Sequence, residues 1–179
     1  MNIPSRGQCL DLIEQVRMPE HIKKHSFVVA RIALYLGSLL NQNSHRLNLG
    51  LLEAGALLHD IAKAPTLITG ERHEDVGARM LEDWGYPLIS NIVKEHVVLD
   101  VSVLNGPITE SLLVNYSDKR VKHDQVVSLE DRFSDLTSRY AKTKEHRGWL
   151  SLKANLYIRL ESKIFEHLAI APSDLSQLR

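Results

Sequence analysis

Apolar residues recur at steps of three and four along nearly the whole chain, a period that suits helices and leaves almost nothing for a sheet. Between Pro19 and Leu40 the residues Ile22, Phe27, Val28, Val29, Ile32, Ala33, Leu36, Leu39 and Leu40 follow that spacing. Pro19 fits the first turn of such a helix, where its missing N–H costs nothing. A second helix is expected from Arg46 to Ala64, with Leu49, Leu52, Ala56 and Leu57 turned inward and Pro65 ending it. Pro65 to Arg72, which contains Gly70, reads as a loop. The next helix runs from His73 to Trp84, and its Glu74 and Asp75 suit the positive start of a helix. Further helices are expected over Leu88 to about Val98 and over Thr109 to about Arg120, with Thr109 as the cap. Ser128 and Asp131 stand like a capping box before a helix that reaches about Ala141, and a last helix covers Trp149 to about Leu168. Val97 to Leu104 is the one stretch with an extended character. The expected fold is all-α, a bundle of about seven or eight helices.

Length and charge narrow the function classes. At 179 residues the chain has room for one domain, or one domain with a helical extension. Its 22 Lys plus Arg cancel its 22 Asp plus Glu, so no overall field favours nucleic acid or an anionic membrane. One cysteine, Cys9, cannot make an internal disulfide or a thiolate metal cage, and it reads as a packing residue suited to a reducing cytoplasm. Met1 to Leu10 lacks the apolar run of a signal peptide, and Ile32 to Leu40 is too short to span a bilayer. A cytoplasmic location is the expectation.

Polar residues on inward faces carry the functional signal. His25 precedes Val28 and Val29 by three and four residues, so it shares their face. His96 lies on the face of Ile89, Ile92 and Val93, and Asp118 follows Val114 by one helical turn. His59 and Asp60 close a strongly apolar helix after Leu57 and Leu58. Any one of these alone reads as a satisfied core or helix-end residue. The second His-Asp pair, His123-Asp124, sits in a charged stretch and reads as solvated rim. Together, though, imidazoles and carboxylates aimed inward from separate helices are what a first-row divalent metal needs. Donors without sulfur suit Fe, Mn, Co, Ni or Zn, with Mg also possible for the carboxylates.

The order of these residues resembles the HD-domain metal-dependent phosphohydrolases. That family places a His on one helix, a His-Asp pair on the next, and an Asp further on. The strings EHIKKHSFVVARIA, AGALLHDIAKAP and YSDKRV put His25, His59-Asp60 and Asp118 in those places, and HDIAK is close to the HDIG variant with Ala62 for its glycine. The resemblance covers about Met18 to Lys122. It implies that His25, His59, Asp60 and Asp118 hold a first metal. Members with two metals carry two more histidines, here matched by His73 and His96, with Asp60 as the bridge; two metals are favoured. The domain would span residues 1–127, with 128–179 a helical extension.

The resemblance further implies hydrolysis of a phosphoester or phosphoanhydride by activated water, Asp60 being catalytic and the substrate small and phosphorylated, by family habit a nucleotide. Lys63 follows His59 by four residues and Asp60 by three, so it shares their face and is assigned to catalysis and the substrate phosphate. Arg72 and Lys119 are further substrate-binding candidates, with solvated surface roles equally open. Two other readings fit the same ligands: a di-iron oxygenase, or a silent module that senses a nucleotide. The run Lys119, Arg120, Lys122, His123 reads as wet surface, and the stripe Tyr157, Leu160, Ile164, Leu168 as packing for the last helix, in the chain or against a second copy in a homo-oligomer. No phosphate-loop or nucleophile-elbow motif is present.

Overall fold

Nine α-helices form among the described residues of the computed structural model, which describes residues 2–166 and 168–178. They are α1 (Arg6–Gln15), α2 (Glu20–Gln42), α3 (Leu49–Leu58), α4 (Lys63–Thr69), α5 (His73–Asp83), α6 (Pro87–Glu95), α7 (Glu110–Lys119), α8 (Leu129–Tyr140) and α9 (Lys144–Phe165). The fold is an all-α bundle, as its periodicity predicts. Its centre is built by α2, α3, α6 and α7, which pack on one another through Val29, Ile32, Leu36, Leu52, Leu57, Val93 and Leu113, all fully buried. Burying each such side chain contributes about 1.5–3 kcal/mol. The helices α5 and α6 pack as one pair, and α8 and α9 as another. No helix among the described residues is long and apolar enough to cross a membrane.

Local chemistry explains where the expected boundaries move. The Arg46–Ala64 helix is two helices, because α-helical hydrogen bonding gives way to turns over residues 59–62 and restarts at Lys63. Pro65 therefore does not end a helix; it lies in the first turn of α4, where its absent N–H has no helical partner to lose. The expected loop after it is helical to Thr69. Gly70 then caps α4 at φ 75°, a left-handed conformation that needs no side chain. The N-terminal α1 was not anticipated; Ser5 and Gln8 form a reciprocal capping box at its start. Thr143 caps α9, which begins five residues before the expected Trp149 and ends at Phe165, while His167 lies outside the described residues.

Val97 to Leu104 is not extended; Val101–Leu104 is a 3-10 turn. The short extended pieces lie elsewhere, as an antiparallel pair of β1 (Val121–Lys122) and β2 (Gln125–Val126). His123, at φ 57°, begins the turn between them. The caps Thr109 and Ser128 act as expected, accepting from Leu112 and Asp131 backbone N–H groups.

Buried polar bonds fasten the C-terminal helices to α7. Arg120 donates to the Tyr116 hydroxyl at 2.7 Å, to Glu161 at 2.7 Å and to the Pro172 carbonyl at 2.9 Å. Tyr157 donates to Asn115, whose amide reaches the Glu95 carbonyl at 2.8 Å. Tyr157, Leu160 and Ile164 are fully buried in the chain's own core. Part of the basic run expected to be wet surface is thus interior: Lys119 and Arg120 are both buried.

Candidate metal centre

Helix ends deliver the polar residues to one volume. His59 and His96 are the C-terminal caps of α3 and α6, His73 is the first residue of α5, and Asp118 lies in the last turn of α7. His25 reaches in from the second turn of α2, and Asp60 follows His59 directly. The four rings chain together in three pairs, with centroids 5.3 Å apart for His25–His59, 5.1 Å for His59–His96 and 5.0 Å for His73–His96.

Each ring is held by its Nδ1. The His25 Nδ1–H donates to the His123 carbonyl at 2.9 Å, His59 to the Ala56 carbonyl at 2.7 Å, and His96 to the Val93 carbonyl. A carbonyl oxygen can only accept, so Nδ1 carries a proton, and in the neutral ring that leaves Nε2 bare towards the centre. His73 Nδ1 lies 3.3 Å from Glu74 Oε2, which acts the same way. Outer partners of this kind fix the tautomer of metal-bound histidines.

The inward atoms form two triads that share one carboxylate. His25, His59 and Asp60 each offer a donor atom, and so do Asp60, His73 and His96, with the atoms of each triad within 4.8 Å of one another. Asp60 Oδ2 lies 3.4 Å from His59 Nε2 and 3.9 Å from His25 Nε2, while its Oδ1 lies 3.2 Å from His73 Nε2 and 3.7 Å from His96 Nε2. Asp118 adjoins the first triad, with Oδ1 at 2.9 Å from His25 Nε2 and 3.8 Å from His59 Nε2.

These residues fit a bound cation. His59 Nε2 and Asp60 Oδ1 are buried polar atoms without a hydrogen-bond partner, a costly state for a protein interior. The His73 and His96 Nε2 atoms face each other at 3.1 Å, two lone pairs in opposition if both rings are neutral. A cation on each triad would satisfy all four.

Charge states at Asp60, Asp118 and His96 favour the same role. Burial opposes ionisation of Asp60, but His59 and Lys63 outweigh it and hold the carboxyl well below the usual range. Burial likewise opposes charge on Asp118, and Lys119, His25 and His59 overcome it. Burial pushes His96 down, towards the neutral form that binds metal. It also disfavours the His59 cation, yet Asp60 and Asp118 hold that pKa above the ordinary value.

Two cavities open on the centre. One, about 420 Å³, is lined by Asp60, His73, His96, Asp118, Lys119 and Lys153, among others. The other, about 350 Å³, lies against His25, Asp60 and Lys63. Arg132, Leu136 and Tyr140 of α8 stand on both walls. Lys63 also faces both, donating to Asp60 Oδ2 at 2.7 Å while 40% of its side chain stays exposed. Lys119 is buried against Asp118, to which it donates. Arg72 sits apart, paired with Glu74 at 2.6 Å, on the wall of a neighbouring groove.

Sequence reasoning missed the cations that α8 and α9 add, Arg132, Arg139 and Lys153. A readable signal existed for the first two, since a spacing of seven puts them on one face of α8. Burial and the nearby Lys119 push Lys153 down to about 8. A family model described as HD domain matches residues 22–136. No curated protein and no solved structure matches the chain.

Proposed function

Since the chain belongs to the HD-domain family, a superfamily of metal-dependent phosphohydrolases, we propose that it hydrolyses a phosphoester or phosphoanhydride of a small substrate, a nucleotide by preference, with two divalent metals. The observation that carries this reading is the pair of triads sharing Asp60, with His25, His59 and His96 each turning Nε2 inward because Nδ1 bonds a carbonyl on the far side of the ring. Asp60 would bridge, with His25, His59 and Asp118 on one metal and His73 and His96 on the other. Metals so held would supply Lewis acidity and lower the pKa of a bound water.

The chain's own cations would do the rest. Lys63 is tethered to Asp60 yet partly exposed, so its ammonium can swing onto a phosphate oxygen at the cavity mouth. Lys153 and Arg132 approach the same space from the opposite wall. Fixed cations around a phosphate stabilise charge that grows on its oxygens during transfer. Lys63, Lys153 and Arg132 around one space support a phosphorylated substrate at the metal centre.

The test is metal analysis of the purified protein, followed by hydrolysis of mono-, di-, cyclic and dinucleotides with each candidate metal. Metal-dependent release of phosphate or a nucleotide is expected. Consumption of O₂ by an iron-loaded protein without hydrolysis would overturn the reading, as would tight nucleotide binding without turnover.

A further inference from the structure

We propose that the cavity beside His25 and Asp60 binds a second phosphate of the substrate on Lys122, Arg132 and Arg139, so that the substrate carries two phosphates. The identity of the first phosphate rests on the phosphohydrolase reading; the second subsite stands on its own residues. All three cations line this cavity, together with His21 and His123. Asp60 is the one carboxylate on its wall, and Asp60 already faces Lys63 and the histidines.

What holds the three cations is Asp135, which lies off this wall and lines a separate hollow behind. Lys122 Nζ and Arg139 Nη2 each lie 3.0 Å from Asp135 Oδ1, and Arg132 Nη1 lies 3.7 Å from Oδ2. One carboxylate thus orients three cations and leaves two positive charges unbalanced. The fit between Arg132 and Asp135 is incomplete as well: Arg132 Nε and Asp135 Oδ2 are both buried without a hydrogen bond. An anion in the cavity would take the free guanidinium donors, and guanidinium forks suit phosphate oxygens. A volume of about 350 Å³ is within the range of small-ligand sites.

The substrate class follows from adjacency. Arg132 stands on the walls of both cavities, and Asp60 and Lys63 do too, so one molecule can engage the metal centre and the cationic cavity at once. A nucleoside diphosphate, a bisphosphate or a dinucleotide meets that requirement; a lone monophosphate leaves the second subsite empty.

The experiment begins with chelator-treated protein titrated with inorganic phosphate by calorimetry, comparing the wild type, His73→Ala and the double variant Lys122→Ala/Arg139→Ala. Both residues of the double variant are partly exposed, and Arg139→Ala alone serves as a milder second variant. We expect wild type and His73→Ala to bind alike, and the double variant at least tenfold more weakly. Unchanged phosphate binding in the double variant overturns the proposal. With metal restored, the double variant should raise KM at least tenfold for a nucleoside diphosphate or bisphosphate and leave a monophosphate's KM unaltered; an equal effect on both overturns it. Should metal-loaded wild type hydrolyse neither, the phosphohydrolase reading fails, while the phosphate titration still decides the subsite.

Discussion

Replacing Asp60 by Asn tests the centre most directly, because the amide keeps the outline of the carboxylate and removes only its charge. In metal-free protein the loss is small. Asp60 is 1% exposed and holds Lys63 at 2.7 Å, so the substitution gives up one charge-assisted bond. It also ends the burial of a charge, and Lys63 is free to turn to water, leaving a net cost of about 1 kcal/mol. For a chain of this size that lowers Tm by about 2–4 °C. With metal the difference is large. A site at a hundredfold excess over its Kd stabilises by about 2.7 kcal/mol, so two sites give about 5 kcal/mol, or about 10–20 °C. Asn offers no anionic oxygen to either triad, and its NH₂ turns towards His73 Nε2, now 3.2 Å from Oδ1. Thermal melts with metal and with chelator should therefore show a shift of about 10–20 °C for wild type and close to none for Asp60→Asn. Metal analysis should find two ions per chain against none. A variant that keeps two ions and the full shift refutes the shared-carboxylate centre.

The two triads divide further. His73→Ala removes a donor from the second triad alone, so one ion per chain should remain; two or none would contradict the partition. Lys63→Met should leave the metal count unchanged and raise KM about tenfold or more, and a wild-type KM would remove Lys63 from substrate binding. Gly55→Ala should cost about 1–3 kcal/mol by thermal melt, because the new Cβ meets Cγ2 at 2.8 Å and Cδ1 at 2.9 Å of Ile92, a buried β-branched side chain. Lys153 gives a pH signature. Its folded pKa of about 8 lies below the unfolded value near 10.5, so the unfolded chain binds more protons between those limits and stability should rise with pH there. The same loss of charge should raise KM above pH 8, and Lys153→Arg, which stays charged, should flatten that profile; an unaltered profile excludes Lys153 from the substrate.

The parts of this molecule that were legible in its sequence are those with local causes. A three-to-four spacing of apolar residues marks α2, α6 and α7 directly, and it placed His25, His96 and Asp118 on faces that do turn inward. His59 and Asp60 were readable as the end of a strongly apolar helix. What escaped has non-local or very short causes. Residues 59–62 give way to turns although Leu58, Ile61 and Ala62 continue the helical spacing, so Pro65 looked like a stop when it is a start. The α1 stripe buries only Cys9 and Ile13, too little to stand out. Two-residue strands hold no alternation to read, yet the turn between them supplies the carbonyl that orients His25. The cations of α8 and α9 are faint for another reason: the spacing of Arg132 and Arg139 puts them on one face, but on their own helices they and Lys153 are ordinary surface charges. Bonds between residues more than forty apart, among them Arg120–Glu161 and Tyr157–Asn115, lay α9 over the centre, and α8 packs on α9. If the chain is the phosphohydrolase proposed above, those same bonds tie the C-terminal helices to its substrate, because loosening them would withdraw Arg132 and Lys153 from the cavities that the inward His and Asp residues line.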